Sequence, residues 1–157
     1  MSGTPAITAL ERSGVWFTEH AYAVGDSGAE TFGAAVADAL GVSRARVFKT
    51  LVATVDGDPV VAIVPVSATL STKALAGARG GKRAAMADPG DAERLTGYVV
   101  GGISPFGRRR RLPVVADDSV LEHETVFVSA GRRGLQVEVA PADLLALTGA
   151  VTAAIAT

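Results

Sequence analysis

Apolar and polar positions along this chain follow two different periods, and the switches between them mark its elements. Thr4-Pro5 sets a capping hydroxyl before a proline suited to a first helical turn, Ile7 and Leu10 follow at helical spacing, and Gly14 can close the run, which predicts a helix over 5–13. Val15, Phe17, Glu19 and Tyr22 belong to a stretch rich in aromatic and β-branched residues, the mark of a first strand of about six residues ending near Tyr22. A Gly/Asp/Ser-rich loop at 25–30 leads to Thr31 as N-cap, and Phe32, Val36 and Leu40 then recur at i, i+4 and i+8 before Gly41, a second helix. The β-rich runs 47–55 and 60–66 flank Asp56-Gly57-Asp58-Pro59 and predict a hairpin. Beyond it come a helix over 71–78, a short strand over 83–86 and a helix opened by Asp88-Pro89 and running to about Leu95. Strands are expected at 113–116, 125–129 and 135–139, with Pro141 opening a last helix through Leu147.

Strands interspersed with helices suggest a parallel doubly wound sheet, but turn chemistry at 56–59 and 130–134 favours antiparallel pairing. The expected fold is α+β: a mixed, mostly antiparallel, barrel-like sheet of about six to seven strands surrounded by helices, in a single domain spanning 1–157. At 157 residues and 48% hydrophobic composition such a domain can bury a real core. A net charge of −1 gives no global basic field, so any contact with nucleic acid must be local. The chain has no cysteine, which excludes a thiol nucleophile, a thiolate metal site and a disulfide framework. No apolar stretch approaches the roughly 20 residues of a membrane span, and 1–11 lack the pattern of a signal peptide, so a soluble cytoplasmic protein is expected.

Familiar catalytic signatures fail in informative ways. Gly77-Ala78-Arg79-Gly80-Gly81-Lys82 approaches a phosphate loop, yet it is one residue short and Arg83 stands where Ser or Thr would hold magnesium. Gly102-Ile103-Ser104-Pro105-Phe106 lacks the closing glycine of a nucleophile elbow, and its proline removes a backbone donor. His20 and His123 are the only histidines and offer no zinc cluster; His20 reads as a strand residue with a satisfied ring. Lys49, inside the apolar run 47–52, either turns outward into water or works in a site. The glycines of 97–105 either make a tight turn or bring backbone N–H groups close to a ligand. Arg108 to Arg111, with Arg132 and Arg133, could contact phosphates, although a short basic run is more often a solvated loop.

Taken in order, these features resemble the YbaK family of prolyl-tRNA-synthetase-associated editing deacylases. The matching segments are His20-Ala21-Tyr22, Ala29-Glu30-Thr31 before Phe32-Gly33, Val47-Phe48-Lys49-Thr50-Leu51, Met86-Ala87-Asp88-Pro89, Thr96-Gly97-Tyr98, Gly101-Gly102-Ile103-Ser104-Pro105, Arg111-Leu112-Pro113 and Ser129-Ala130-Gly131-Arg132-Arg133-Gly134-Leu135. The resemblance implies an aminoacyl-tRNA deacylase acting in trans on Cys-tRNA(Pro), an ester hydrolase or, where the substrate's thiol attacks, a lyase-type enzyme. It implies Lys49, Gly101 and Gly102 as catalytic residues, the two glycine N–H groups forming an oxyanion hole. Tyr22, Phe32, Thr50, Ile103, Ser104, Pro105 and Ser129 are implied to line the pocket. Gln136, also placed there, stands where the family is expected to carry an aspartate. No metal or cofactor is expected; mischarged tRNA(Pro) and prolyl-tRNA synthetase are the implied partners, with no membrane and no DNA. Ala-tRNA(Pro) as substrate, broader deacylation and a non-catalytic tRNA- or synthetase-binding module are the alternatives.

Overall fold

A computed structural model describes residues 3–23 and 32–157; the 25–30 loop and the Thr31 cap expected above lie outside the described residues, as does the Phe32 side chain. Helix α1 (Pro5–Ser13) starts where Thr4 Oγ1 accepts the Ile7 N–H at 3.2 Å, and it ends at Gly14 with φ +76°. The same hydroxyl donates to the Ala130 carbonyl at 2.6 Å, so the cap also ties the helix to a strand far away in sequence. Strand β1 (Phe17–Ala21) and helix α2 (Phe32–Leu40) follow.

The hairpin of β2 (Phe48–Val55) and β3 (Asp58–Pro65) closes more tightly than its sequence suggests: Asp56 and Gly57, at φ +50° and +88°, make a two-residue turn, and Asp58 and Pro59 already belong to β3. Pro59 is tolerated because β5 joins β3 only from Val61 onward, so no ladder bond is lost. Then come α3 (Thr72–Ala78), β4 (Ala84–Met86), α4 (Pro89–Thr96), β5 (Val114–Asp117), β6 (Val126–Arg132), β7 (Leu135–Val139), α5 (Pro141–Thr148) and β8 (Val151–Ala153). Strand β8 went unpredicted: three residues, two of them exposed, carry no alternation to read.

The described strands form a three-stranded sheet, β1-β7-β6, and a five-stranded sheet, β4-β2-β3-β5-β8, antiparallel except for the β3–β5 and β5–β8 pairs. The mixed, mostly antiparallel α+β expectation holds, but the barrel does not. A single isolated parallel bridge, Val47↔Phe127, joins the sheets. It does not extend into a ladder: β6 bulges between Ser129 and Arg132, just beyond the bridge.

Strand alternation sorts the core. Phe48, Val52, Val61 and Ile63 pack with Val126, Val128 and Val137 of the smaller sheet and with Ile7 and Leu10 of α1, while Ala53, Val55, Val60 and Val64 face Leu75 and Ala76 of α3. On the outer side of the smaller sheet, Phe127 and Val47 pack against Val36 and Ala37 of α2. Among the described residues no helix is long and apolar enough to cross a membrane.

Candidate functional site

The joint between the two sheets builds a row of polar side chains. Phe48 and Val52 point into the central core, so Lys49 points to the opposite face of β2, the face of Val47. Val47 and Phe127 face the same side across their isolated bridge, so alternation along each strand turns Lys49 and Ser129 to that side two residues on. Ser129 pairs with Gln136 on β7, and Gln136 with His20 on β1. Because directly paired residues share a face, Ser129, Gln136 and His20 stand in one line across β6, β7 and β1, on the side covered by α2, to which Lys49 also points.

Lys49 is half-buried, and this burial lowers its pKa from the ordinary lysine value. Among the described residues it makes no ion pair. Gln136 is buried at 6% exposure, and its Oε1 accepts no hydrogen bond there. A partly desolvated cation and an unmet amide oxygen on one face have complementary demands: an anion or developing negative charge for the first, a donor for the second.

One register step away, Glu138 gathers its neighbours. His20 Nε2 lies 3.0 Å from its Oε1, Thr125 Oγ1 donates to its Oε2 at 2.5 Å, and Arg46 Nη2 sits 3.5 Å away. Burial alone pushes Glu138 up, but the hydrogen bonds from Thr125 and His20 and the histidine's charge outweigh it and hold its pKa below the usual glutamate value. The rings of His20 and Phe127 meet edge-on at 5.2 Å, and the Arg46 guanidinium lies 5.0 Å above Phe127. This network was not read from the sequence; strand alternation from Thr18 through His20 was its only local signal.

The glycine loop approaches the same hairpin from its tip. Gly101 has φ +93°, and a Cβ there would meet Arg133 Nε at 2.4 Å; a Cβ on Gly102 would lie 2.9 Å from Arg132 Cα. Gly101 therefore requires glycine for its left-handed backbone, and Gly102 because the hairpin backbone presses on it. Arg133 Nη2 also donates to the Val100 carbonyl at 3.0 Å. The Gly102 N–H, expected as an oxyanion donor, donates to Val99 O at 2.9 Å and closes a turn. The Gly101 N–H has no such partner among the described residues.

The remaining expected residues divide. Tyr22 is half-buried against Val36, Ala37, Val47 and Phe127, and its N–H donates to Gly134 O at 3.0 Å, which puts it beside the row. Thr50 faces the other way, toward Phe48 and Val52, yet its buried Oγ1 also lacks a partner. Ile103 belongs to the central core; Ser104 is fully buried and its Oγ accepts the Phe106 N–H at 3.2 Å, and the Pro105 carbonyl accepts from Arg108. These three shape the loop. The false phosphate loop is the C-terminal end of α3, where the Gly81 N–H returns to Ala76 O at 2.8 Å and the Lys82 and Arg83 amides cap the Asp56 carboxylate. Among the described residues no group of three His, Cys, Asp or Glu could hold a metal.

A family model for the aminoacyl-tRNA editing domain matches residues 26–147. The chain belongs to that family. Within the editing family it is 36% identical over 155 residues, 98% of this chain and 93% of the relative, to EbsC of Enterococcus faecalis, whose name proposes a Cys-tRNA(Pro)/Cys-tRNA(Cys) deacylase. It is 33% identical over 116 residues, 71% of this chain and 70% of the relative, to ProXp-y of Escherichia coli K12, named a multifunctional Ser/Thr-tRNA deacylase. A crystal structure described as that of a proposed trans-editing enzyme for prolyl-tRNA synthetase shares the fold, with TM-score 0.85 and 26% identity over 99% of this chain and 97% of that one. An editing domain of this family is a deacylase, a hydrolase of the aminoacyl ester; neither relative's name is that of a lyase.

Proposed function

We propose that this editing enzyme hydrolyses Cys-tRNA(Pro) in trans in the cytoplasm, alongside prolyl-tRNA synthetase. The observation that carries the reading is Lys49: an ammonium half-buried without an anionic partner among the described residues, turned to the same face as Ser129 and the unmet Gln136 oxygen. The name of EbsC and the description of the trans-editing structure support the substrate and the synthetase.

An aminoacyl ester is already activated, so the protein need only orient it and stabilise the oxyanion. In this mechanism the substrate's own thiol attacks the ester carbonyl carbon, forming a C–S bond. Collapse of the tetrahedral species breaks the C–O bond to the ribose, whose oxygen takes up the thiol proton. The released thiolactone then adds water to give cysteine, so the net reaction is hydrolysis. Holding the substrate folded gives the thiol a large effective molarity, on the order of 10⁵ M or more. Lys49 attracts the developing oxyanion, and the Gly101 N–H is the backbone donor left open to join it, a well-placed donor being worth about 3 kcal/mol. Gln136 Oε1 accepts from the substrate α-ammonium, a role that an amide fills without the expected aspartate. Esters of alanine and proline lack the attacking group and survive.

The decisive experiment compares deacylation of Cys-, Ala- and Ser-tRNA(Pro) by the wild-type chain and by Lys49→Ala. Cysteine should be released fastest, and Lys49→Ala should lower kcat/KM about a hundredfold or more while the circular dichroism stays native. Unchanged turnover by Lys49→Ala would remove the lysine from the chemistry. Preferential hydrolysis of Ser-tRNA would favour a second reading, in which the unmet Gln136 oxygen accepts a substrate hydroxyl, consistent with the kinship to ProXp-y.

A further inference from the structure

The glycine loop has a second end. Residues 105–111 run from it to a groove of about 230 Å³ against α1 and the C-terminal turn of α5, floored by Pro105, Phe106 and Leu147 and edged by Arg108, Arg110 and Arg111. Arg108 is partly buried and braced: its Nε donates to Pro105 O at 3.0 Å and its Nη1 to Leu112 O at 3.3 Å. Arg110 and Arg111 are exposed, and none of the three forms an ion pair among the described residues. Burial first and the neighbouring Arg111 charge second lower the pKa of Arg108. The carboxyl end of α5 offers these guanidiniums about half a negative charge, against three positive ones. In a chain of net charge −1 such a concentration is local and unneutralised.

We propose that this groove is a phosphate-binding site for the RNA backbone: Arg110 and Arg111 grip successive phosphodiesters of the strand whose aminoacylated end lies at Lys49, and Arg108 shapes the groove between them. Arginine forks match phosphate oxygens bidentately, and the apolar floor accommodates a ribose between two phosphates. The six-residue step from Gly102 to Arg108 spans at most roughly 20 Å, so loop and groove lie within reach of a few nucleotides. The part of the proposal that concerns the aminoacyl end rests on the deacylase reading; the groove's affinity for RNA does not.

Binding of uncharged tRNA(Pro) transcript is therefore measured across a salt series for the wild-type chain, Arg110→Ala/Arg111→Ala, Arg110→Lys/Arg111→Lys, and a control that removes two exposed charges elsewhere, Arg79→Ala/Lys82→Ala. The alanine pair should weaken binding roughly tenfold to a hundredfold and reduce the slope of log K against log salt by about two, since each phosphate contact contributes about one. The lysine pair should restore the slope and part of the affinity, and the control should stay within about twofold of wild type. Hydrolysis of 3′-O-cysteinyl adenosine, which has no backbone phosphates, should be unchanged in the alanine pair. An unaltered salt slope in the alanine pair, or an equal loss in the control, overturns the groove. Loss of binding to prolyl-tRNA synthetase with RNA binding intact overturns it too, since the groove would then serve an acidic protein surface. If the wild type binds RNA through these arginines but cleaves no aminoacyl ester, the groove stands and the deacylase reading falls.

Discussion

Replacing Gly102 with alanine tests how the glycine loop supports the site. A Cβ at this position would lie 2.9 Å from Arg132 Cα and 3.1 Å from both Arg132 C and Arg133 N, roughly half an ångström inside ordinary contact. All three atoms are backbone, so no side chain can swing aside, and the tip of the β6–β7 hairpin must move. Overpacking of this kind costs about 1–3 kcal/mol. The hairpin carries Ser129 and Gln136, so the displacement reaches the Lys49 row, where a misplacement of about 1 Å can cost about a hundredfold in rate. Gly102→Ala should therefore lose about 1–3 kcal/mol in urea unfolding and fall tenfold to a hundredfold in kcat for Cys-tRNA(Pro), on the order set by that misplacement. Gly90→Ala is the matched control, since an added Cβ there meets nothing within 4 Å. A Gly102→Ala protein with wild-type kcat would refute the coupling between the loop and the row, even if its stability dropped.

Two further outcomes follow from titrating groups. If catalysis needs the Lys49 ammonium, kcat/KM for Cys-tRNA(Pro) should fall at high pH with an apparent pKa below 10.5, and Lys49→Arg should abolish that limb; a limb that persists in the arginine variant would assign it to another group. Burial tends to raise the pKa of Asp117, but the Ser119 hydroxyl and the amides of Ile155, Ser119 and Ala156 outweigh it and leave the carboxyl below 3.8. With the folded value depressed, its stabilisation is complete well above pH 3.8 and disappears as pH falls through the folded pKa. Asp117→Asn should thus cost about 1–3 kcal/mol at neutral pH, with the gap to wild type closing in acid; a gap independent of pH would refute the carboxylate's role.

The local elements were legible because their determinants are local. The Thr4-Pro5 cap and the glycine closing α1 act within a few residues of themselves and lie where the pattern put them, and the β2–β3 turn falls inside the 56–59 stretch that marked it. The resemblance to an editing family was legible too, since its segments keep their order along the chain, and the family match confirms it. The barrel was not legible, because closure depends on whether β2 and β6 extend their single bridge, and the β6 bulge between Ser129 and Arg132 interrupts the strand just beyond it. Nor was the hydrogen bond that occupies the Gly102 amide, since a glycine pair looks the same whether its N–H groups are open or spent.

Sequence alone therefore determined the periodic elements, the absence of a thiol on the protein itself and the kinship to aminoacyl-tRNA editing domains, all properties carried by neighbouring residues, by composition or by residue order. Tertiary structure alone decided that Lys49 and Ser129, 80 positions apart, share one face, that Gln136 keeps an unmet oxygen on that face, and that three arginines edge one groove. The reason is physical: strand register and burial are set by pairing between distant segments, and no local propensity encodes which distant segment will be the partner.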